Sequence, residues 1–280
     1  MKTWLITGTS RGFGRVWAEA ALARGDKVAA TARTTDAISD LAKKYGDNVL
    51  PIKLDVTSKK EDDAAVKQAY DHFGRLDVVI NNAGYGLFGT VEEVSEEQAR
   101  RQIETNFFGS LWITKAVVPY MRQQKSGHIM QVSSIGGVYA YPTLGLYHAS
   151  KWAVEGLLQA LKAEVMGLGI KVTIIEPTGY NTDWGGSSSV HAEEIAAYKP
   201  LHEMLTKMAK TSGFQIGNPK DTGSVILKLA DMSEPPLRIF LGKGPLELMR
   251  KEYADRIALW EKYNGLSLEA FGLNDDTLSR

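Results

Sequence analysis

Thr3-Trp4-Leu5-Ile6-Thr7-Gly8-Thr9-Ser10-Arg11-Gly12-Phe13-Gly14 begins with a short apolar run and continues into a polar turn with three glycines in seven residues. Trp4-Leu5-Ile6 is continuous rather than alternating, as in a strand buried on both faces of a parallel sheet. A helix is expected from Gly12 to about Arg24. Glycines let the backbone turn sharply and approach a phosphate closely, and a helix start offers unpaired N–H groups and the positive end of its dipole. The spacing is G-x-x-x-G-x-G, not the G-x-G-x-x-G of other dinucleotide folds. Its plainer reading is an ordinary strand-to-helix turn. Placement directly after the first strand favours a pyrophosphate cradle built from Gly8, Ser10, Arg11, Gly12, Phe13 and Gly14.

The same alternation continues down the chain. Further strands are predicted at about Lys27 to Thr31, Val49 to Leu54, Val78 to Asn81, His128 to Ser133, Lys171 to Glu176 and Arg238 to Leu241. Helix signals fill the gaps: Ser58 with Glu61 and Ser95 with Gln98 have capping-box spacing, and Asn218-Pro219 reads as a cap followed by a first-turn proline. Strand and helix in alternation imply right-handed crossovers and an α/β, doubly wound parallel sheet. Such sheets bind ligands beyond the carboxyl ends of their strands, near the point where strand order reverses.

Composition narrows the partners. Among 280 residues, 33 basic and 33 acidic side chains cancel, which argues against a nucleic-acid groove or an anionic membrane surface and for a small molecule. With no cysteine there are no disulfides, thiolate metal sites or cysteine nucleophiles. No apolar run approaches the roughly 20 residues that span a bilayer, and no signal peptide precedes Trp4, so a cytoplasmic protein is expected. No linker composition divides the chain. One domain over 1–280 is predicted, with a helical extension at 245–280 carrying Leu248, Tyr253, Ile257 and Trp260 near one side, placed to cover a pocket rim or meet another subunit.

Cofactor type is legible at the end of the second strand. A carboxylate there would accept from the ribose 2′-hydroxyl of NAD, but no acid occurs before Asp36. Arg33, with Arg11, offers planar forks suited to a 2′-phosphate, which favours NADP(H) over NAD(H). The plainer reading is two solvated surface charges.

Tyr147-His148-Ala149-Ser150-Lys151 places a phenol and an ammonium four residues apart, thirteen positions after Ser134. On a helix they share one face, so the Lys151 charge can bias ionisation of Tyr147 away from its ordinary pKa of about 10. By itself the spacing is common by chance. His148, one residue on, points about 100° away and reads as structural.

Taken together, Thr7 to Gly14, Asp55, Asn81-Asn82-Ala83-Gly84, Asn106, Ser134, Tyr147 with Lys151, and Pro177 to Thr182 resemble the short-chain dehydrogenase/reductase family in order and spacing, over about residues 3 to 242. The compact single-domain branch and its hydroxysteroid-dehydrogenase-like subgroup fit best. This resemblance implies a Rossmann-like sheet of seven strands with helices on both faces, and hydride transfer between a nicotinamide and a carbonyl or alcohol carbon. It assigns Asp55 and Val56 to the adenine side, Asn82-Ala83-Gly84 to the cofactor border, and Pro177 and Thr182 to the nicotinamide side. Asn106 takes the place of the residue that holds a water in a proton relay. Singly, each has a plainer reading as a turn, a loop or a helix-interrupting polar residue. One position departs from the family pattern: Thr178 stands where a glycine is usual, adding bulk near the nicotinamide.

The catalytic set implied is Asn106, Ser134, Tyr147 and Lys151: Tyr147 as general acid/base, Ser134 orienting the reacting oxygen, Lys151 lowering the tyrosine pKa and holding the nicotinamide ribose. No metal is required. Substrate choice would fall to Gly86-Leu87-Phe88, Gly137 to Tyr141 and a lid at 184–212, apolar and aromatic segments suited to a small apolar or aromatic carbonyl or alcohol. Helices around 95–123 and 147–168 commonly form contacts between subunits in the family, so a homodimer or homotetramer is expected. Two alternatives stand beside a carbonyl reductase: a catalytically silent NADP(H)-binding regulator, and an epimerase or dehydratase of the family's longer branch.

Overall fold

The computed structural model describes residues 1–211 and 215–273. The chain divides into two compact units, Met1–Gly242 and Lys243–Arg280.

The first unit runs β1 (Thr3–Ile6), α1 (Gly12–Ala23), β2 (Lys27–Ala32), α2 (Ser39–Tyr45), β3 (Val49–Lys53), α3 (Lys59–Phe73), β4 (Val78–Asn81), β5 (Leu87–Phe88), α4 (Glu96–Ile103), α5 (Gly109–Gln124), β6 (Gly127–Val132), α6 (Gly145–Val165), β7 (Ile170–Pro177), β8 (Val190–His191), α7 (Lys199–Thr211), α8 (Thr222–Asp231) and β9 (Arg238–Leu241). Seven strands pair in parallel in the order β3-β2-β1-β4-β6-β7-β9. Strand order reverses between β1 and β4, which sets the ligand-binding crevice there. Predicted strand limits agree with the observed ones within two residues. The short β5 and β8 were not anticipated. They pair with each other, Leu87 opposite Val190 and Phe88 opposite His191.

Pleating explains why the strand sequences are continuously apolar. Trp4 and Ile6 of β1 enter one core with Trp17 of α1 and Ile226 of α8, while Leu5 enters the other with Val66 of α3, Ile113 of α5 and Leu158 of α6. Val78 and Ile80 likewise face one side and Val79 the other. Side chains of period two on a doubly covered sheet leave no solvent face for polar residues.

Helix starts follow the sequence signals with one difference. Ser95 and Gln98 form a complete capping box. Ser58 Oγ accepts from the Glu61 N–H, yet the Glu61 carboxylate accepts instead from the Asp55 N–H at 2.9 Å, which ties α3 to the turn after β3. Asn218 caps the single 3₁₀ turn begun by Pro219, ahead of α8.

The second unit holds α9 (Pro245–Ala270), on which Tyr253, Ile257 and Trp260 are exposed. The part of the expected extension beyond residue 273 lies outside the described residues. Among those described, no helix is long and apolar enough to cross a membrane.

Candidate active site

A cleft of about 2000 Å³ opens at the carboxyl ends of the sheet strands. Its wall takes residues from the end of, or the segment after, each of six strands: Gly8 after β1, Arg33 after β2, Asp55 and Val56 after β3, Asn82 to Gly84 after β4, Ser134 after β6, and Pro177 at the end of β7 with Thr178 to Thr182 beyond it. Ser10, Arg11, Gly12 and Phe13 line it from the first turn, and Tyr147 and Lys151 from α6. Of the residues expected to act in catalysis or cofactor binding, Gly14 and Asn106 are not on the wall, and neither are Gly86 to Phe88 or Gly137 to Ala140 of the expected substrate segments.

The first turn has the form of an anion cradle. Gly8 and Gly12 have positive φ, 71° and 60°, in the left-handed region that side chains disfavour. Gly14 matters through proximity: a Cβ there would come within 2.4 Å of the Gly8 carbonyl oxygen and 2.5 Å of Asn82 Nδ2. No side chain caps α1 at Arg11, so its first N–H groups face the cleft uncommitted. Asn82 braces the other side. Its Nδ2 donates to the carbonyls of Thr7 and Gly8 at 2.8 and 3.0 Å, while Thr7 Oγ1 accepts from the N–H groups of Asn82 and Ala83. This cradle fits a dinucleotide pyrophosphate.

Arg33 is exposed at the cleft edge and makes no ion pair among the described residues. Arg11 reaches the opposite way, its guanidinium donating to Ser187 Oγ at 3.3 Å. Asp55 Oδ1 accepts from both the backbone N–H and the hydroxyl of Thr57, so the strand-ending turn and a place on the cleft wall coexist.

At the floor, Tyr147 and Lys151 are each 5 % exposed. Burial pushes the Tyr147 phenol up to about 12, and a hydrogen bond with Ser134 pulls it the other way. Burial brings the Lys151 ammonium down to about 8, against the pull of the Glu155 carboxylate. Desolvation is thus the larger influence on the enclosed phenol, and Ser134 is the group that opposes it. Lys151 Nζ donates to the Val132 carbonyl at 2.9 Å, and lies 5.8 Å from the centre of the Tyr147 ring.

Asn106 sits in a π-helical turn, Glu104–Phe108, between α4 and α5, and is 1 % exposed. Its Nδ2 donates to the Tyr85 carbonyl and to Ser150 Oγ, both at 3.1 Å, and its Oδ1 accepts from the Tyr85 N–H. Its amide is thus engaged by protein groups that fix Tyr85 against α6. Thr178, on the cleft wall, donates its hydroxyl to the Leu241 carbonyl at 3.2 Å, in space left open by Gly242. Thr182 Oγ1 accepts from the Trp184 N–H.

Phe88, Trp184, Leu205 and Met208 fall in the segments expected to choose substrate, whereas Ile216 and Glu93 carry no sequence signal. Trp184 packs on Tyr147 at 5.0 Å between ring centroids and on Phe88 at 5.4 Å, and Phe88 stacks on His191. Leu205, Met208 and Ile216 line the outer cleft. Glu93, 8 % exposed, accepts from the Thr90 N–H, the Ile195 N–H and His202 Nε2, joining the segment before α4 to α7 across 109 residues of chain. The end of the predicted lid, at Ser212, lies outside the described residues.

The short chain dehydrogenase family profile matches residues 2–192 of this chain. The chain belongs to that family. Oxidoreductase BOA17 of Botryotinia fuckeliana is 42 % identical over 269 residues, covering 95 % of this chain and 98 % of that protein. A crystal structure of a short-chain dehydrogenase from Streptomyces avermitilis superposes with a TM-score of 0.89 at 34 % identity, covering 96 % of this chain and all of that one. ElxO with NADP bound aligns with a TM-score of 0.72 at 25 % identity over 88 % of this chain and 99 % of its own. This short-chain dehydrogenase is accordingly an oxidoreductase with a Rossmann-like, nicotinamide-dinucleotide-binding fold.

Proposed function

We propose that this short-chain dehydrogenase interconverts a carbonyl and a secondary alcohol with NADP(H), and that Tyr147 is its general acid/base. The observation that carries this reading is the convergence of Ser134, Tyr147 and Lys151 in one cleft, Tyr147 and Lys151 buried and Ser134 close enough to act on the phenol, with a pyrophosphate cradle at the other end. The bound cofactor supplies or accepts a hydride. The chain's residues handle position and protons. A phenol held near 12 is fully protonated at neutral pH and is a donor ready for a carbonyl oxygen that gains charge. Ser134 Oγ accepts from the Gly136 N–H at 3.0 Å, and its hydroxyl, which interacts with the Tyr147 phenol, can orient the reacting oxygen when substrate enters. Lys151 supplies positive charge that favours the phenolate once the proton has left, and it is placed to hold the nicotinamide ribose. Asn106 acts behind it by fixing Tyr85 and Ser150.

Arg33, unpaired at the cleft edge, supports the NADP(H) preference through the 2′-phosphate. The apolar and aromatic walls from Trp184, Tyr141 and Leu205, with Phe88 packed behind Trp184, suit a small apolar or aromatic substrate. Tyr147→Phe tests the reading. NADPH-dependent reduction across a panel of ketones and aldehydes should fall by about 10²–10⁴-fold while NADPH affinity stays nearly intact; retained turnover would overturn the assignment. A wild-type protein that binds NADPH and turns over none of the panel would point to the silent regulator instead.

A further inference from the structure

His148 is 4 % exposed on α6, immediately after Tyr147, and both its ring nitrogens are bound to the turn that follows β6. Nε2 lies 2.9 Å from the Tyr141 backbone nitrogen, and Nδ1 lies 2.9 Å from the Gly136 carbonyl oxygen. A backbone N–H can only donate, so Nε2 is the bare nitrogen and Nδ1 carries the proton given to Gly136. Burial lowers the imidazole pKa, against the hydrogen bonds to Gly136 and Tyr141, which suits this neutral form.

Each bond reaches a different part of the site. The Gly136 peptide also donates its N–H to Ser134 Oγ at 3.0 Å, so the bond from His148 fixes the group that directs the Ser134 hydroxyl. The approach is close enough to require glycine: a Cβ at Gly136 would lie 2.5 Å from Nδ1. The second bond anchors Tyr141, whose ring packs on Tyr139 and on His148 itself and lines the cleft. An imidazole has the two oppositely equipped nitrogens needed to hold both at once.

We propose that His148 is a positioning residue with two separable duties: its Nδ1–H holds Ser134 in register with Tyr147, and its Nε2 holds the Tyr141 wall of the substrate cavity. The inference rests on the catalytic reading of Ser134 and Tyr147 given above. Asparagine at this position keeps a donor close to where Nδ1 stood, and glutamine brings an amide oxygen toward the place of Nε2. With NADPH and 1-phenylpropane-1,2-dione as probe, H148L should lower kcat and raise KM, each by about tenfold. H148N should recover kcat with KM still raised, and H148Q should recover KM with kcat still low. NADPH affinity should stay within about twofold throughout, since none of these groups belongs to the pyrophosphate cradle.

A readout independent of turnover is amide hydrogen exchange at Tyr141, expected to accelerate in H148L and H148N and to stay slow in H148Q. If H148L does not fold, the contrast between H148N and H148Q decides the matter. Wild-type kinetics in H148L, or identical behaviour of the Asn and Gln variants in kinetics and exchange, would overturn the proposal. Full activity in Tyr147→Phe would overturn the catalytic reading and this inference with it, whereas an inactive Tyr147→Phe beside unaffected His148 variants would overturn the inference alone.

Discussion

Lys151 directs its ammonium at the Val132 carbonyl, 2.9 Å away, while the Tyr147 ring centre stands 5.8 Å from the same nitrogen. The lysine is thus held by the backbone beside the tyrosine, with no direct hydrogen bond between the two side chains. Behind it, Glu155 lies one helical turn along α6, where Arg238 joins its carboxylate at 2.9 Å and that of Glu176 at 3.4 Å. Burial and the neighbouring Glu155 charge push Glu176 up to about 8, so with Glu176 protonated near neutral pH one carboxylate charge faces the Arg238 guanidinium and the cluster is close to neutral.

Because the Glu155 charge opposes the drop that burial imposes on Lys151, its removal should make the lysine release its proton at lower pH. Glu155→Gln should move the alkaline limb of kcat/KM for NADPH, which reports the free enzyme, downward from near pH 8 by roughly half a unit or more. Ionisation of Glu176 in its place would mute the shift, so the Glu155→Gln, Glu176→Gln double variant should show the larger one. An unmoved limb in both variants would mean that the Glu155 charge does not tune Lys151.

Arg33 faces the cleft edge with no protein partner among the described residues, whereas Arg11 is engaged by Ser187. Arg33→Asp should lower the NADP-over-NAD preference by about tenfold or more, the value of one charge-assisted pair, and Arg11→Ala should change it less. Steady-state kinetics with both cofactors measure the ratio. An unchanged ratio in Arg33→Asp would remove it as the 2′-phosphate partner.

Although burial pushes its pKa upward, Glu93 is brought down to about 2 by hydrogen bonds from Thr90, His202 and Ile195. It stays ionised over the working pH range and pins α7 to the segment before α4. Glu93→Ala should raise KM for apolar carbonyl substrates by about tenfold with little effect on NADPH affinity. Parallel losses in both constants would show that Glu93 supports the whole cleft, not the lid side of it.

Asp62 is fully enclosed on α3, and neither carboxylate oxygen has a hydrogen-bond partner. Burial, aided by the charges of Asp63, Asp55 and Glu61, raises its pKa to about 8. A raised carboxylate pKa means that the folded state binds the extra proton. Its stabilising contribution is complete below about pH 4, where the unfolded chain is protonated too, and is lost as pH climbs to about 8. Asp62→Asn should therefore stabilise the protein by a few kcal/mol at pH 8, or roughly 5–10 °C in Tm, and by little at pH 4. Thermal melts at both pH values check it, and a pH-independent difference would contradict the titration.

Much of the fold was legible because local rules and tertiary packing agree. Val78 to Asn81 and Arg238 to Leu241 read as strands and are strands over those residues, the first buried throughout and the second a short, mostly apolar strand at the sheet edge. Ser95 and Gln98 formed the box their spacing promised. Ser58 and Glu61 did not, because the Glu61 carboxylate found the Asp55 N–H, a competitor that spacing alone does not reveal. The strands β5 and β8 escaped notice for a similar reason: two residues each, 103 positions apart, they exist only because the folded chain brings Leu87 beside Val190.

The amino-acid order alone settled the βα alternation, the glycine turn and the presence of Ser134, Tyr147 and Lys151, because these depend on periodicity, on glycine stereochemistry and on residue type. Tertiary structure decided how those groups stand. It set the phenol high and the lysine low by desolvation, gave Lys151 a backbone carbonyl as partner, and turned Asn106 inward to Tyr85 and Ser150. It also made His148 a clamp on Gly136 and Tyr141. Burial and hydrogen-bond partnership are properties of what lies near in space, and a linear sequence does not specify them until the sheet has brought its strand ends together.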